Sequence, residues 1–224
     1  MNAITVFCSS STFLDEEFHE PARIVGRELA LRHISLVYGG GGIGLMVEIA
    51  RACRQHGGRV IGVITGVLID KEQGWDECDE LIVVDTMRQR KQKMTERGEA
   101  FLILPGGVGT YEEFFEALAA RLVGEHTRPL GIVNTGGYFD PLLDMLAHGE
   151  AHRFIKPAVR ELVHIDPDPI AVIDALCADP RTPIDDERFL PMGRDRTAGA
   201  ADCPAPTGCA AFLRAGRERA AVGK

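Results

Sequence analysis

No apolar run in this 224-residue chain reaches the ~18 residues that a membrane-spanning helix requires. That excludes such a helix, and no membrane partner is expected. A basic excess is also missing. The chain has 25 Lys and Arg against 33 Asp and Glu, a net charge of −8, which argues against a general nucleic-acid-binding surface. A local basic cluster stays compatible with that total. The start, MNAITVF, lacks a basic stretch followed by an apolar core, so no secretory signal is read and a cytoplasmic protein is expected. Cysteines at disulfide or zinc spacing are lacking too. The six, at 8, 53, 78, 177, 203 and 209, are scattered through a chain long enough to form its own core, which suits a reducing compartment. Cys203 and Cys209 have no His nearby, so no metal site is expected. Internal repeats are absent.

What the chain does have, over its first 177 residues, is strict alternation of apolar runs with amphipathic stretches. Ile4–Cys8, Ile34–Tyr38, Arg59–Ile64, Glu80–Val84, Ala100–Leu104, Pro129–Val133 and Leu162–Ile165 read as strands. Between and after them, Glu16–Arg32, Gly44–His56, Met87–Arg97, Tyr111–Val123, Asp140–Gly149 and Pro169–Ala178 read as helices. Strands apolar on both faces and alternating with helices predict the α/β class: a doubly wound parallel sheet of about seven strands with helices on both faces. Ligands of such sheets bind beyond the carboxyl ends of the strands. Residues 178–224 differ in kind. Gly, Pro and Ala supply 20 of those 47 positions, a composition that predicts a flexible tail, dispensable for folding, after a domain of residues 1–177.

Three segments following strands carry unusual residues. Tyr38-Gly-Gly-Gly-Gly-Ile-Gly-Leu-Met46 lets backbone approach a ligand closely, and the helix after it offers free N–H groups to an anion. Gly39, Gly41 and Gly44 satisfy G-x-G-x-x-G, but the acid expected about 20 residues on is missing, since the next after Glu48 is Asp70. This disfavours a dinucleotide-dependent dehydrogenase and leaves a plain strand–helix turn as an alternative. Leu104-Pro-Gly-Gly-Val-Gly-Thr-Tyr-Glu-Glu113 repeats the strand–glycine–helix pattern without the Gly-Lys-Ser/Thr ending of a triphosphate loop. Thr110 and Glu113 also have capping-box spacing, a purely structural role. In Asp85-Thr-Met-Arg-Gln-Arg-Lys-Gln-Lys-Met94, Thr86 and Gln89 mark a helix start. Arg88, Arg90 and Lys91 then oppose the dipole in the first turn. An anionic partner or solvated surface charge would each explain them.

Tyr38–Met46, Met87–Met94 and Pro105–Glu113, in this order and spacing, resemble the cytokinin riboside 5′-monophosphate phosphoribohydrolases. These are the "Lonely guy" (LOG) family, long labelled "possible lysine decarboxylase". P-G-G-x-G-T-x-x-E is matched completely, and the likeness runs from Val6-Phe-Cys-Ser-Ser-Ser11 to about residue 176, leaving out the tail. The resemblance implies a Rossmann-like homodimer without metal or cofactor. It would hydrolyse the N-glycosidic bond of adenosine 5′-monophosphate, plain or N6-substituted, to free base and ribose 5-phosphate. It implies Glu113 as the catalytic carboxylate and Arg90 as the catalytic arginine. Gly107, Val108, Gly109 and Thr110 would hold the phosphate, with Lys91, Glu72, Gly41, Gly42 and Met87 as further substrate contacts. A non-catalytic binder of a nucleotide or similar phosphorylated ligand is the alternative. The chain departs from the family at Ala119, Ala120 and Leu122, where Thr, Trp and Gln are common, and at Arg88, where His is usual. A pocket that is roomier or less polar is therefore expected.

Overall fold

Seven apolar runs, each too short to form a helix of its own, pair side by side and bury both faces under the helices that connect them. The computed structural model describes residues 1–72, 74–184 and 189, the Glu72 side chain excepted. Strands β1 (Ala3–Phe7), β2 (Ser35–Tyr38), β3 (Val60–Thr65), β4 (Glu80–Val84), β5 (Phe101–Ile103), β6 (Leu130–Val133) and β7 (Val163–Asp166) form one sheet. Their spatial order is β4-β3-β2-β1-β5-β6-β7, and every pairing is parallel. All seven expected strands are present. β1, β3, β5 and β6 are buried throughout, whereas edge strand β4 leaves Val83 exposed.

The connections are helices α1 (His19–Leu31), α2 (Gly44–Gln55), α3 (Gly66–Glu72), α4 (Met87–Arg97), α5 (Val108–Leu122), α6 (Asp140–Ala151) and α7 (Pro169–Ala178). One core joins α1, α2 and α7 to one face of the sheet, through Val25, Leu29, Ile49 and Ile173 among others. The opposite core joins α4, α5 and α6 to the other face, through Met94, Phe114, Leu118 and Leu142. The chain order reverses between β1 and β5, so the loops leaving these two strands diverge and open the crevice where doubly wound sheets take ligands. No helix among the described residues is long and apolar enough to cross a membrane.

Three expectations need correction. The stretch from Glu16 is a 3₁₀ turn, Glu16–Phe18, followed by α1. α3 was not expected: its seven residues are too few to show a helical period. Helix α5 starts at Val108 rather than Tyr111, because the chain turns straight from the glycines into helix. Its N-cap is Gly107, which has no side-chain cap. Thr110 and Glu113 thus lie inside the helix and form no capping box, which frees Glu113 for another role. The Thr86–Gln89 box does form: Gln89 N–H donates to Thr86 Oγ1 at 3.2 Å and Thr86 N–H to Gln89 Oε1 at 3.0 Å.

Contacts with the sheet and its helices continue beyond residue 178. Asp179 Oδ2 lies 2.9 Å from His164 Nε2, and its other oxygen is 3.9 Å from the buried Arg121 guanidinium. Arg181 reaches Glu99 at 3.1 Å. Ile184 and Phe189 pack into the core on the face opposite α7. The chain therefore crosses from one face of the sheet to the other after α7. Residues 185–188 and 190–224, with most of the expected flexible tail and Cys203 and Cys209, lie outside the described residues. Asp179→Ala should destabilise the fold by ~1–3 kcal/mol, because it strips a buried cation and a histidine of their acceptor. Arg181→Ala, which breaks a half-exposed pair, should cost ~0–1 kcal/mol. Urea unfolding of the two variants measures the difference.

Candidate active site

The loops beyond β1, β2, β3 and β5 converge at the carboxyl edge of the sheet, and one side chain connects three of these neighbours. Arg90, in the first turn of α4, turns inward and is only 6% exposed. Its Nε donates to the Val63 carbonyl of β3 at 2.9 Å, and its Nη2 to the carbonyl of Gly39, just past β2, at 3.0 Å. Nη1 lies 3.7 Å from Glu113 Oε1 on α5. A buried guanidinium needs acceptors to offset lost hydration. Two backbone carbonyls and one carboxylate supply them here. The approach requires glycine at 39, since a Cβ there would lie 2.0 Å from Arg90 Nη2.

Glu113 has a side chain only 11% exposed. It stands in the second turn of α5, above a first turn that is open: Gly107, Val108 and Gly109 are exposed, while Thr110 is buried. The first N–H groups of a helix have no intrahelical acceptor and carry its positive dipole end, a natural seat for a phosphate. The loop feeding this turn is held from both sides. Ser9 N–H donates to the Pro105 carbonyl at 3.1 Å, and Tyr138 Oη to the Gly106 carbonyl at 2.6 Å. Gly106 allows the tight turn, because a Cβ there would meet Thr110 Oγ1 at 2.1 Å. Neither Ser9 nor Tyr138 was singled out from sequence. Each acts through hydrogen bonds to segments distant in the chain, and no local pattern marks that.

The other expected site residues are placed as follows. Lys91 is paired with Glu112 and Glu116 of α5, and these carboxylates raise its pKa although burial opposes the shift. Arg88 is exposed, with no hydrogen bond or ion pair among the described residues. The three basic residues of this helix turn therefore diverge and do not form one cluster. Met87 is half exposed at the start of α4. Gly41 forms an antiparallel bridge with Gly74, beside Gly42, so the first glycine loop is pinned to the segment after α3. Glu72 ends α3, and its side chain lies outside the described residues. No group of three His, Cys, Asp or Glu among the described residues has an arrangement suited to a metal ion.

The family described as possible lysine decarboxylase matches residues 46–176. The probable cytokinin riboside 5′-monophosphate phosphoribohydrolase LOGL9 of Oryza sativa subsp. japonica is 41% identical over 173 residues, 77% of this chain and 76% of that protein. The LOG5 phosphoribohydrolase of Arabidopsis thaliana is 39% identical over 159 residues, 71% of this chain and 70% of that protein. The chain belongs to the LOG family. Among solved structures, the molybdenum cofactor carrier protein of Chlamydomonas reinhardtii matches with a TM-score of 0.60 at 23% identity, covering 79% of this chain and 96% of that one. The molybdenum cofactor binding protein of Rippkaea orientalis matches with a TM-score of 0.57 at 18% identity, covering 79% and 95%. At such identities these two likenesses establish the fold alone.

A cleft of about 290 Å³ starts at Glu113 and runs between α4 and α5, walled by Arg88, Lys91, Ala117, Ala120, His126 and Arg128, with Phe7 among its lining. The LOG-family departures divide here. Ala120 lines this cleft, whereas Ala119 is exposed and Leu122 packs on the core. Glu96, Glu113, Glu116 and Glu125 border the cleft as well, beside its basic residues. His126 accepts the Arg128 N–H at Nδ1 (3.1 Å), so Nε2 carries the proton and donates to the Ala117 carbonyl at 3.1 Å. Burial, with help from Arg128 and Arg121, pushes its pKa down to about 4.

Two outcomes follow from this geometry. Gly39→Ala should lose ~1–3 kcal/mol in urea unfolding, because the added methyl displaces a buried hydrogen-bonded guanidinium. His126 is neutral when folded and protonates near pH 6.5 when unfolded, so the stability it contributes is present above that pH and is lost as pH falls from 6.5 towards 4. The loss should be on the order of 1 kcal/mol once its partial exposure is discounted. His126→Gln should flatten that part of the stability–pH curve, measured by chemical denaturation at stepped pH.

Proposed function

We propose that this LOG-family protein is a nucleotide N-glycosidase of the cytokinin-activating type. It hydrolyses adenosine 5′-monophosphate, plain or N6-substituted, to the free base and ribose 5-phosphate. The observation that carries the reading is the Glu113 carboxylate, nearly buried, 3.7 Å from Arg90 Nη1 and one turn above the open start of α5. With the phosphate on the N–H groups of Gly107–Thr110, the ribose lies against Glu113. Breaking the C1′–N9 bond leaves its electron pair on the base and positive charge on the ribose. A fixed carboxylate stabilises that charge and orients the attacking water. Water oxygen bonds to C1′, and its released proton passes by way of Glu113 to the departing base. Arg90, preorganised by two carbonyls, directs its remaining N–H groups to ribose or phosphate oxygens and holds the sugar in register. Names of relatives at about 40% identity support the same bond class. The reading includes a cytoplasmic homodimer whose partner is the small nucleotide.

Lysine decarboxylation fits the residues poorly. An imine-forming lysine must give up its proton readily. Lys91, the lysine at this site, is held protonated by Glu112 and Glu116.

The test is incubation of the pure protein with AMP and N6-isopentenyl-AMP, with chromatography of the released base. Glu113→Gln should lower turnover ~100- to 10,000-fold in a protein that still folds, with a lower melting temperature because buried Arg90 loses its counter-charge. Arg90→Ala should lose far more turnover than Arg97→Ala, because Arg97 sits at the dipole-favoured end of α4 and pairs with Glu80. Tight nucleotide binding without base release by the unaltered protein would return the binding-protein alternative.

A further inference from the structure

The cleft between α4 and α5 ends on a cation that the proposed hydrolysis of plain AMP does not use. Arg128 is partly buried, yet its guanidinium has no hydrogen bond or ion pair among the described residues. Its backbone is clamped from both sides. His126 Nδ1 takes its N–H at 3.1 Å, and Arg121 Nη1 donates to its carbonyl at 3.0 Å. The backbone of this arginine is thus fixed beside the cleft. Burial and the nearby Arg181 both disfavour that charge, with Glu96 and Glu99 offsetting only part. A partly desolvated cation whose charge is offset only in part is suited to an incoming anion.

The wall residues agree with this. Its acids are mostly engaged: Glu113 with Arg90, Glu116 with Lys91, and Glu96 with Lys93. Glu125 is exposed. Arg88, also without a hydrogen bond or ion pair among the described residues, and the small Ala117 and Ala120 line the same cleft, which the Lys91–Glu116 pair joins across α4 and α5. Glu113 and Ala120 are two helical turns apart, ~10 Å along the axis. A substituent on the base of a nucleotide seated at Glu113 can therefore extend along the cleft towards Arg128.

We propose that this cleft selects nucleoside monophosphates whose base carries a flexible substituent ending in a carboxylate, with Arg128 as the residue that recognises the acid. The proposal rests on the phosphoribohydrolase reading and adds the substrate class. Its test uses the full chain and three nucleotides: AMP, N6-(5-carboxypentyl)-AMP and the uncharged N6-hexyl-AMP. The carboxypentyl compound should exceed the hexyl compound at least tenfold in kcat/KM, mainly through KM. Arg128→Ala should reduce that preference at least tenfold, and Arg128→Lys should retain part of it. Should Arg128→Ala fail to fold, the preference of the unaltered protein should still shrink as salt rises. Equal use of the two substituted nucleotides, or a preference unchanged by Arg128→Ala or Arg128→Lys, overturns the proposal while base release from AMP leaves the reaction standing. If no nucleotide is hydrolysed, the phosphoribohydrolase reading fails on its own account. Calorimetric binding of the carboxypentyl and hexyl nucleotides then decides the proposal separately: tighter binding of the acid supports it, and equal binding ends it.

Discussion

The guanidinium of Arg90 is the constraint around which this site is arranged. It connects β3, the first glycine loop and α5 through the Val63 carbonyl, the Gly39 carbonyl and the Glu113 carboxylate. Each contact imposes a condition elsewhere. The residue beyond β2 must lack a side chain. α4 must begin where its first turn faces the sheet, a start fixed by the Thr86–Gln89 capping box. α5 must begin early enough that residue 113 falls in its second turn. Glycine as the α5 N-cap meets that last condition, and it leaves the first-turn N–H groups open to an anion.

The doubly wound sheet brings these pieces to one place. Reversal of strand order between β1 and β5 separates the loops after them. Both helices on either side of the Arg90–Glu113 contact, α4 and α5, lie on the same face and share the core around Met94, Phe114 and Leu118. Their far ends are anchored as well. Thr5 Oγ1 of the central strand donates to the Met94 carbonyl at 2.8 Å near the end of α4, and Arg121 ties the end of α5 to the Leu162 and Arg128 carbonyls. Pair geometry at the top of two helices is thus set by packing and capping along their whole length.

Much of this was legible in the sequence because periodicity and caps are local. Every strand was marked by an apolar run, α7 was found to the residue, and α4 likewise, bounded by its capping box and by Gly98. The destinations of individual side chains were not legible. Arg88, Arg90 and Lys91 look alike in sequence, yet successive helical positions turn by ~100°, sending one to solvent, one inward and one to α5. Thr110 and Glu113 fit a capping box by spacing. Whether they cap depends on where the helix starts, and that is decided by the tightness of the Gly106 turn. The crossing after α7 was missed for a related reason. A segment poor in apolar residues can still be held by one buried carboxylate, Asp179, when buried Arg121 and His164 both face it.

The site divides along the length of its two helices. The upper turns of α4 and α5 carry the Arg90–Glu113 pair and the open first turn. Arg88, Lys91 and Glu113 of those turns border the cleft, and its wall continues over the lower turns to the loop that holds His126 and Arg128. Changes at sites more than ~7–10 Å apart that share no partner usually act independently, and Ala120 lies two turns from Glu113. The residues proposed for bond cleavage match the LOG family, while Ala120 and Arg88, two of this chain's departures, line the cleft. Neither residue touches the carbonyls that fix Arg90. A change in that wall is therefore separable from the contacts that hold Arg90 and Glu113 together.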